Sequence, residues 1–197
     1  MSSAAATKVR GSEAVKAALI DAAADMLGEV GPRSISVRDV ADRAGVNHGQ
    51  IHHYFGSKRG LLEDAMRHLA REHFDHAMAR QGDAAYPPPL SLAEDVRYWR
   101  AIAQAVIEGD LELAGIEIEE GISVPQHVLA GVQATRGDET DELDLKAAFA
   151  VMAAQQLGWV AFERFVFMLG DVPREQETEL RERAKALIQR TLDRGLE

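Results

Sequence analysis

Apolar residues recur at three- and four-residue spacing along most of this chain, and alternating β-branched runs bounded by turns are scarce, so the pattern predicts an all-α protein. A first helix is expected over 13–30, with Leu19, Ile20, Ala23, Met26, Leu27 and Val30 as one stripe and Gly31-Pro32 as its stop. Ser36, with Asp39 three residues on, is a capping pair that opens a short second helix through Ala44, which Gly45 ends. Asn47 and Gln50 repeat the device, starting a third helix at His48, and Ser57 caps a fourth over 58–80. The run YPPP at 86–89 cannot be helical and separates this bundle from a fifth helix over 91–108. A shorter pair is expected near 111–119 and 125–135, followed by a solvated acidic loop over 136–142. The segment 143–169 is apolar nearly all round. After Gly170 and Pro173 a last helix over 174–193 carries the stripe Leu180, Ala184, Leu187, Ile188 and Thr191.

The densest chemistry lies in residues 36–55, SVRDVADRAGVNHGQIHHYF. Val37, Val40, Ala41 and Ala44 keep the inner face of the second helix thin, and Gly45 supplies the left-handed or open conformation that a tight turn needs. Val46 and Ile51 pin the third helix to the first two, which leaves His48, Gln50, His52 and His53 to face outward. A helix held proud of the body in this way fits the DNA major groove.

Over residues 14–66 the chain resembles the TetR family of bacterial regulators, through Val46, Asn47, Gly49, Ile51, His53, Tyr54, Phe55 and the Ser57-Lys58 pair. The resemblance implies an N-terminal three-helix helix-turn-helix domain over 13–60 and a larger C-terminal ligand-binding and dimerisation domain over 61–197. It makes the third helix the recognition helix and draws the DNA-contact set as Arg38, Asn47, His48, Gly49, Gln50, His52, His53, Tyr54 and Lys58. In that set Lys58 meets a phosphate and Arg38 another part of the DNA backbone. His52 departs from the pattern, standing where the family usually has Tyr. The implied function is a homodimeric repressor of a palindromic operator in double-stranded DNA, released by a small-molecule effector.

Charge supports that division. The net charge of -10 conceals an asymmetry: residues 1–60 carry eight Lys or Arg against six Asp or Glu, whereas residues 61–197 carry 14 against 26. An acidic body repels nucleic acid, so DNA contact is expected only in the first third. Lys8 and Arg10 read as a disordered tail more readily than as a minor-groove arm. The absence of cysteine excludes disulfides and thiolate chemistry, and the cytoplasm is the simplest compartment. Residues 1–12 lack the apolar core of a signal peptide. The apolar stretch 145–169 is interrupted by Lys146, Gln155, Gln156, Glu163 and Arg164, so no membrane association is expected.

The fourth helix begins at the DNA and ends in the larger domain, which makes it the natural lever for an effector. The expected ligand-binding residues are Met66, Leu69, His73, Trp99, Ile102, Val106, Met152 and Gln156, a set that favours a hydrophobic or amphipathic molecule, neutral or cationic. His73 also reads as a hydrogen-bonded core histidine, Trp99 and Trp159 as core, and Glu117, Glu119 and Glu120 as a solvated face. A helix apolar on all sides must cover a second face, and a symmetric copy is the simplest cover, with Phe162, Phe165, Leu180, Leu187 and Ile188 at the dimer interface. An enzyme finds little support: there is no glycine-rich phosphate loop, GxSxG or HExxH. Its best version is a helical metal-dependent hydrolase using the i,i+4 spacings His48/His52 or His68, Glu72 and His76. A third reading is an architectural DNA-binding protein without effector. No metal and no cofactor are expected.

Overall fold

A computed structural model describes residues 11–136 and 141–195, and no strand occurs among them. The helices are α1 Ser12–Ser34, α2 Val37–Ala44, α3 Gly49–Phe55, α4 Lys58–Gln81, α5 Val96–Ile107, α6 Leu111–Ala114, α7 Ile116–Glu119, α8 Val124–Arg136, α9 Glu142–Leu169 and α10 Glu177–Gly195. Lys8, Arg10 and most of the acidic loop expected over 136–142 lie outside the described residues. The chain forms two compact units. One comprises the residues up to His73 with Val96–Ile122, and the other Phe74–Asp95 with Ser123–Glu197. This packing division cuts α4 between His73 and Phe74 and does not coincide with the 13–60 and 61–197 division drawn on function.

In the first unit α1 packs along α5. Ala22, Ala23 and Ala24 are buried on α1, as are Ala101 and Ala105 on α5, and these small side chains let the two axes close up. At Gly28 the approach is close: a Cβ there would stand 3.0 Å from the Cβ of Arg100. Leu19, Met26 and Leu27 complete the buried stripe, but Val30 is exposed, because the helical path breaks one residue later at Gly31, with φ 78° and ψ 160°. Leu61, Leu62, Ala65, Met66 and Leu69 of α4 fill the same core.

The second unit buries Leu90 and Ile188 together, with Tyr86, Met152 and Trp159 packed against them. Two local causes shape it. Leu90 has a positive φ of 63°, and its N–H donates to the side-chain oxygen of Gln156 at 2.9 Å. The fifth helix is shorter than the pattern predicts: Ser91–Glu94 is a 3-10 turn, and α5 starts only at Val96. The break at Asp95 serves its carboxylate, which is only 8% exposed and accepts from Arg80 at 3.0 Å and from His76 at 2.9 Å. Burying a charge is costly unless it is paired, so local helix propensity yields to this pairing. The last helix is likewise preceded by a 3-10 turn, Arg174–Gln176.

Candidate nucleic-acid interface

The second and third helices form as their caps dictate. The Ser36 hydroxyl accepts from the Asp39 N–H at 3.1 Å and donates to the Asp39 carboxylate at 2.6 Å. Gly45 takes φ 67° and ends α2, the N–H of Gly49 donates to the Asn47 side-chain oxygen at 2.8 Å, and that of Gly60 to the Ser57 hydroxyl at 3.0 Å. These bonds satisfy amides that a helix start otherwise leaves open. Val40, Ala41 and Ile51 are fully buried, fixing α2 and α3 to each other and to α1.

The opposite face of this pair is open. Asn47, His48, Gly49, His52 and His53 are exposed, with Gln50, Tyr54 and Lys58 half-buried beside them. Arg38 is almost fully exposed, 3.8 Å from Asp42, a loose surface pair that leaves the guanidinium accessible. The His52 ring lies with Nδ1 3.2 Å from the Gly56 carbonyl oxygen, which fixes the imidazole at the end of α3 and turns Nε2 away from that bond. His53 meets Tyr54 edge-on at 4.8 Å, and Lys16 lies 6.0 Å from the centroid of the Phe55 ring. The Lys58 ammonium is 3.4 Å from the Arg33 carbonyl oxygen, at the first turn of α4. Asn47, one of the expected contacts, thus has its oxygen engaged in capping α3.

The expected ligand-binding residues are not all of one kind. Met66 and Leu69 are fully buried, and His73 is buried with its ring stacked on Tyr98 at 4.2 Å and 12°. Tyr98, and not its neighbour Trp99, is the buried aromatic of α5, and its hydroxyl donates to Glu117. Trp99 and Ile102 are half-buried and Val106 is exposed. Met152 and Gln156 belong to the other unit, where the first packs on the Leu90 cluster and the second holds the Leu90 N–H. A groove of about 540 Å³ in that unit is lined by Arg80, Ala84, Ala85, Tyr86, Pro88, Pro89 and Gln189, none of them in the expected set. Glu117 and Glu120 are not simply solvated, since Glu120 accepts from Arg67 at 2.7 Å.

The last two long helices carry an apolar surface. Phe162, Phe165 and Leu187 are 59%, 50% and 58% exposed, and Val166, Met168 and Leu169 join them. Ile188 is buried in its own unit, so the stripe on α10 turns inward at that position and the outward set is drawn without it. Leu180 is half-buried and Trp159 is core-like, its indole N–H donating to Glu163. By length and composition α9 could also cross a membrane, with a mean hydropathy of 1.2 and 6% of its apolar window buried. Among the described residues no group of three or more His, Asp or Glu side chains is arranged to hold a metal ion; His68 instead pairs through Nε2 with the carboxylates of Asp21 and Glu72, and His76 with that of Asp95.

Beside this interface Glu108 and Asp110 meet Arg33 and Arg59 in a corner whose one trace in the sequence is the Gly-Asp break at 109–110.

Residues 19–65 match the family described as bacterial regulatory proteins, tetR family. The chain is 29% identical over 152 residues to the HTH-type transcriptional repressor Rv3405c of Mycobacterium tuberculosis, covering 77% of this chain and 75% of that one. It is 36% identical over 94 residues to the HTH-type transcriptional regulator BetI of Pectobacterium carotovorum, covering 48% and 43%. A tetR-family transcriptional regulator from Streptomyces coelicolor shares the fold with a TM-score of 0.55 at 21% identity, over 93% of this chain and 90% of that one. The fatty acid degradation regulator FadR from Bacillus halodurans gives 0.56 at 19% identity, over 87% and 96%.

Proposed function

This chain belongs to the tetR family of bacterial regulatory proteins and is a DNA-binding transcriptional regulator, not an enzyme; from that premise we propose that it is a homodimeric repressor, released from a palindromic operator by a small molecule. The observation that carries this reading is the open face of α3, where His48, His52 and His53 stand exposed on a helix anchored by the fully buried Ile51. In this reading His48, Gly49, Gln50 and His53 meet base edges, Tyr54, Lys58 and Arg38 meet phosphates, and Asn47 shapes the helix start. The Nε2 of His52 takes the place of the hydroxyl that a tyrosine would present.

The dimer is supported by the exposed phenylalanines of α9 and by Leu187 of α10, because an apolar patch of this kind on a folded chain marks a contact surface. Lys146, Glu163 and Arg164 on α9, with Glu163 tied to Arg181 of α10, favour a second protein chain over lipid as the cover. Work on chromosomal DNA carries with it a cytoplasmic location. The effector is a small hydrophobic or amphipathic molecule. Because Met66 and Leu69 are fully buried and the His73 ring is stacked on Tyr98 of α5, its entry there requires α4 and α5 to part.

The test is equilibrium binding to a palindrome from the DNA adjoining its own gene against random duplex at one salt concentration. A specific repressor separates the two by about a thousandfold or more. Equal affinities would replace this reading with the architectural one.

A further inference from the structure

The chain enters the helix-turn-helix through Gly31, Pro32 and Arg33 and leaves it through Gly56 and Ser57 into Lys58 and Arg59. Both segments are held by two residues between α5 and α6, Glu108 and Asp110, on either side of Gly109. The Glu108 carboxylate accepts the Arg33 N–H at 2.8 Å, and the Glu108 carbonyl oxygen accepts from the Arg33 guanidinium at 2.6 Å. Asp110 accepts from the Arg59 guanidinium at 2.6 Å and also caps α6 through the Leu113 N–H at 3.1 Å. Arg33 and Lys58 are themselves joined, ammonium to carbonyl.

The corner that makes these contacts is stiff. The N–H of Asp110 returns to the Ala105 carbonyl at 2.8 Å and that of Gly109 to Val106 at 3.0 Å, the paired bonds that close a helix end. On the other side the fit needs glycine: Gly31 sits at a positive φ that L side chains rarely adopt, and a Cβ there would overlap the Glu108 carboxylate. Acidic groups beside a DNA-reading domain also oppose DNA electrostatically, so their presence calls for another role. The Arg59 guanidinium holds the Asp110 carboxyl below its ordinary range, consistent with an ion pair that persists near neutrality.

We infer that Glu108 and Asp110 are positioning residues, which hold the helix-turn-helix in its operator-reading orientation by gripping the segment that enters it and the segment that leaves it. This rests on the DNA-binding reading above and adds a second linkage to α4: a displacement at the end of α5 reaches the recognition helix from both sides, through Arg33 and through Arg59. Neither acid touches DNA in this account.

The experiment uses the full-length chain as wild type, Glu108→Ala, Gly31→Ala, the double variant, and the milder Glu108→Gln. Each is measured for binding to the operator and to random duplex across salt, and for amide hydrogen exchange without DNA. Glu108→Ala is expected to lower discrimination fivefold or more, with random-duplex affinity unchanged or tighter and the operator salt slope unchanged. Exchange in residues 36–55 should quicken at least threefold while that of α9 stays constant. Gly31→Ala should act in the same direction and at least as strongly, since it adds the strain of a side chain at positive φ to the loss of the Glu108 contact, and the double variant should be no worse than Gly31→Ala alone. If wild type discriminates but Glu108→Ala and Glu108→Gln keep its discrimination and its exchange in 36–55, the positioning role is overturned alone. If exchange rises equally in α9, Glu108 is merely structural and the inference also fails. A wild type that does not distinguish operator from random duplex overturns the repressor reading, and the positioning role falls with it.

Discussion

The Glu163 carboxylate of α9 takes both arms of the Arg181 guanidinium of α10, at 2.6 and 2.9 Å. The Trp159 indole N–H adds a third bond at 2.8 Å. Arg181 is the main cause, and Trp159 a smaller one, that hold the Glu163 carboxyl below the ordinary glutamate value of 4.5, with burial opposing them. A depressed carboxylate stabilises the fold above its unfolded value, and that contribution is lost as pH falls through the folded one. Glu163→Gln should therefore cost about 1 to 2 kcal/mol at pH 7. It should also flatten the loss of stability below about pH 4.5, in urea titrations at one fixed protein concentration. An acid limb unchanged from wild type would contradict the assignment.

Leu187 and Phe165 are the positions at which the proposed dimer is most directly tested, since both are at least half exposed on the single chain. Leu187→Glu places a charge in an apolar contact and should yield monomer or aggregate in light scattering. Ile188→Val, by contrast, trims a side chain buried in its own unit and should cost about 1 kcal/mol of stability without changing the assembly. An unchanged dimer mass for Leu187→Glu would move the interface elsewhere.

Lys58 and Gln50 separate backbone contact from base reading. Lys58→Ala should weaken binding to all sequences and flatten the dependence of log affinity on log salt by about one unit per subunit. Gln50→Ala should cost about 1 to 3 kcal/mol on the cognate site and little on random duplex. Were Gln50→Ala to leave discrimination intact, α3 would not read bases through this residue.

Tyr98 and Trp99 reverse the usual expectation that the larger ring is the core one. Tyr98 is buried, stacked on His73 and bonded to Glu117, while Trp99 is half-buried with Arg100 5.6 Å from its ring centroid. Tyr98→Ala should cost about 3 kcal/mol and Trp99→Ala less than half of that in thermal or denaturant unfolding. Equal losses would show that the stack contributes nothing particular.

What the sequence made legible was local. Ser36 with Asp39, Gly45, and Asn47 before Gly49 specify caps and a turn over two to four residues, and the structure forms each of them. Position along a stripe was legible only while the helix stayed regular: Val30 escaped the core because Gly31 breaks α1, and Ile188 turned inward because Leu90 fills the space beside it. Contacts distant in sequence were not legible at all. Arg33 and Glu108 are 75 residues apart and Leu90 and Gln156 66, and neither pair has a periodicity that announces it. The break at Asp95 belongs to the same class, since the need to bury that carboxylate against Arg80 overrides a helical pattern that otherwise reads without interruption.

A nuclease footprint of the purified protein on the DNA adjoining its own gene tests operator recognition itself. One protected palindrome is expected, with half-sites about one helical turn apart, roughly 34 to 36 Å, or somewhat more if the operator is longer. Gln50→Ala should remove the boundary of protection while leaving diffuse binding at low salt. Uniform protection by the wild-type protein with no palindromic centre, at concentrations where it is dimeric, would contradict operator recognition.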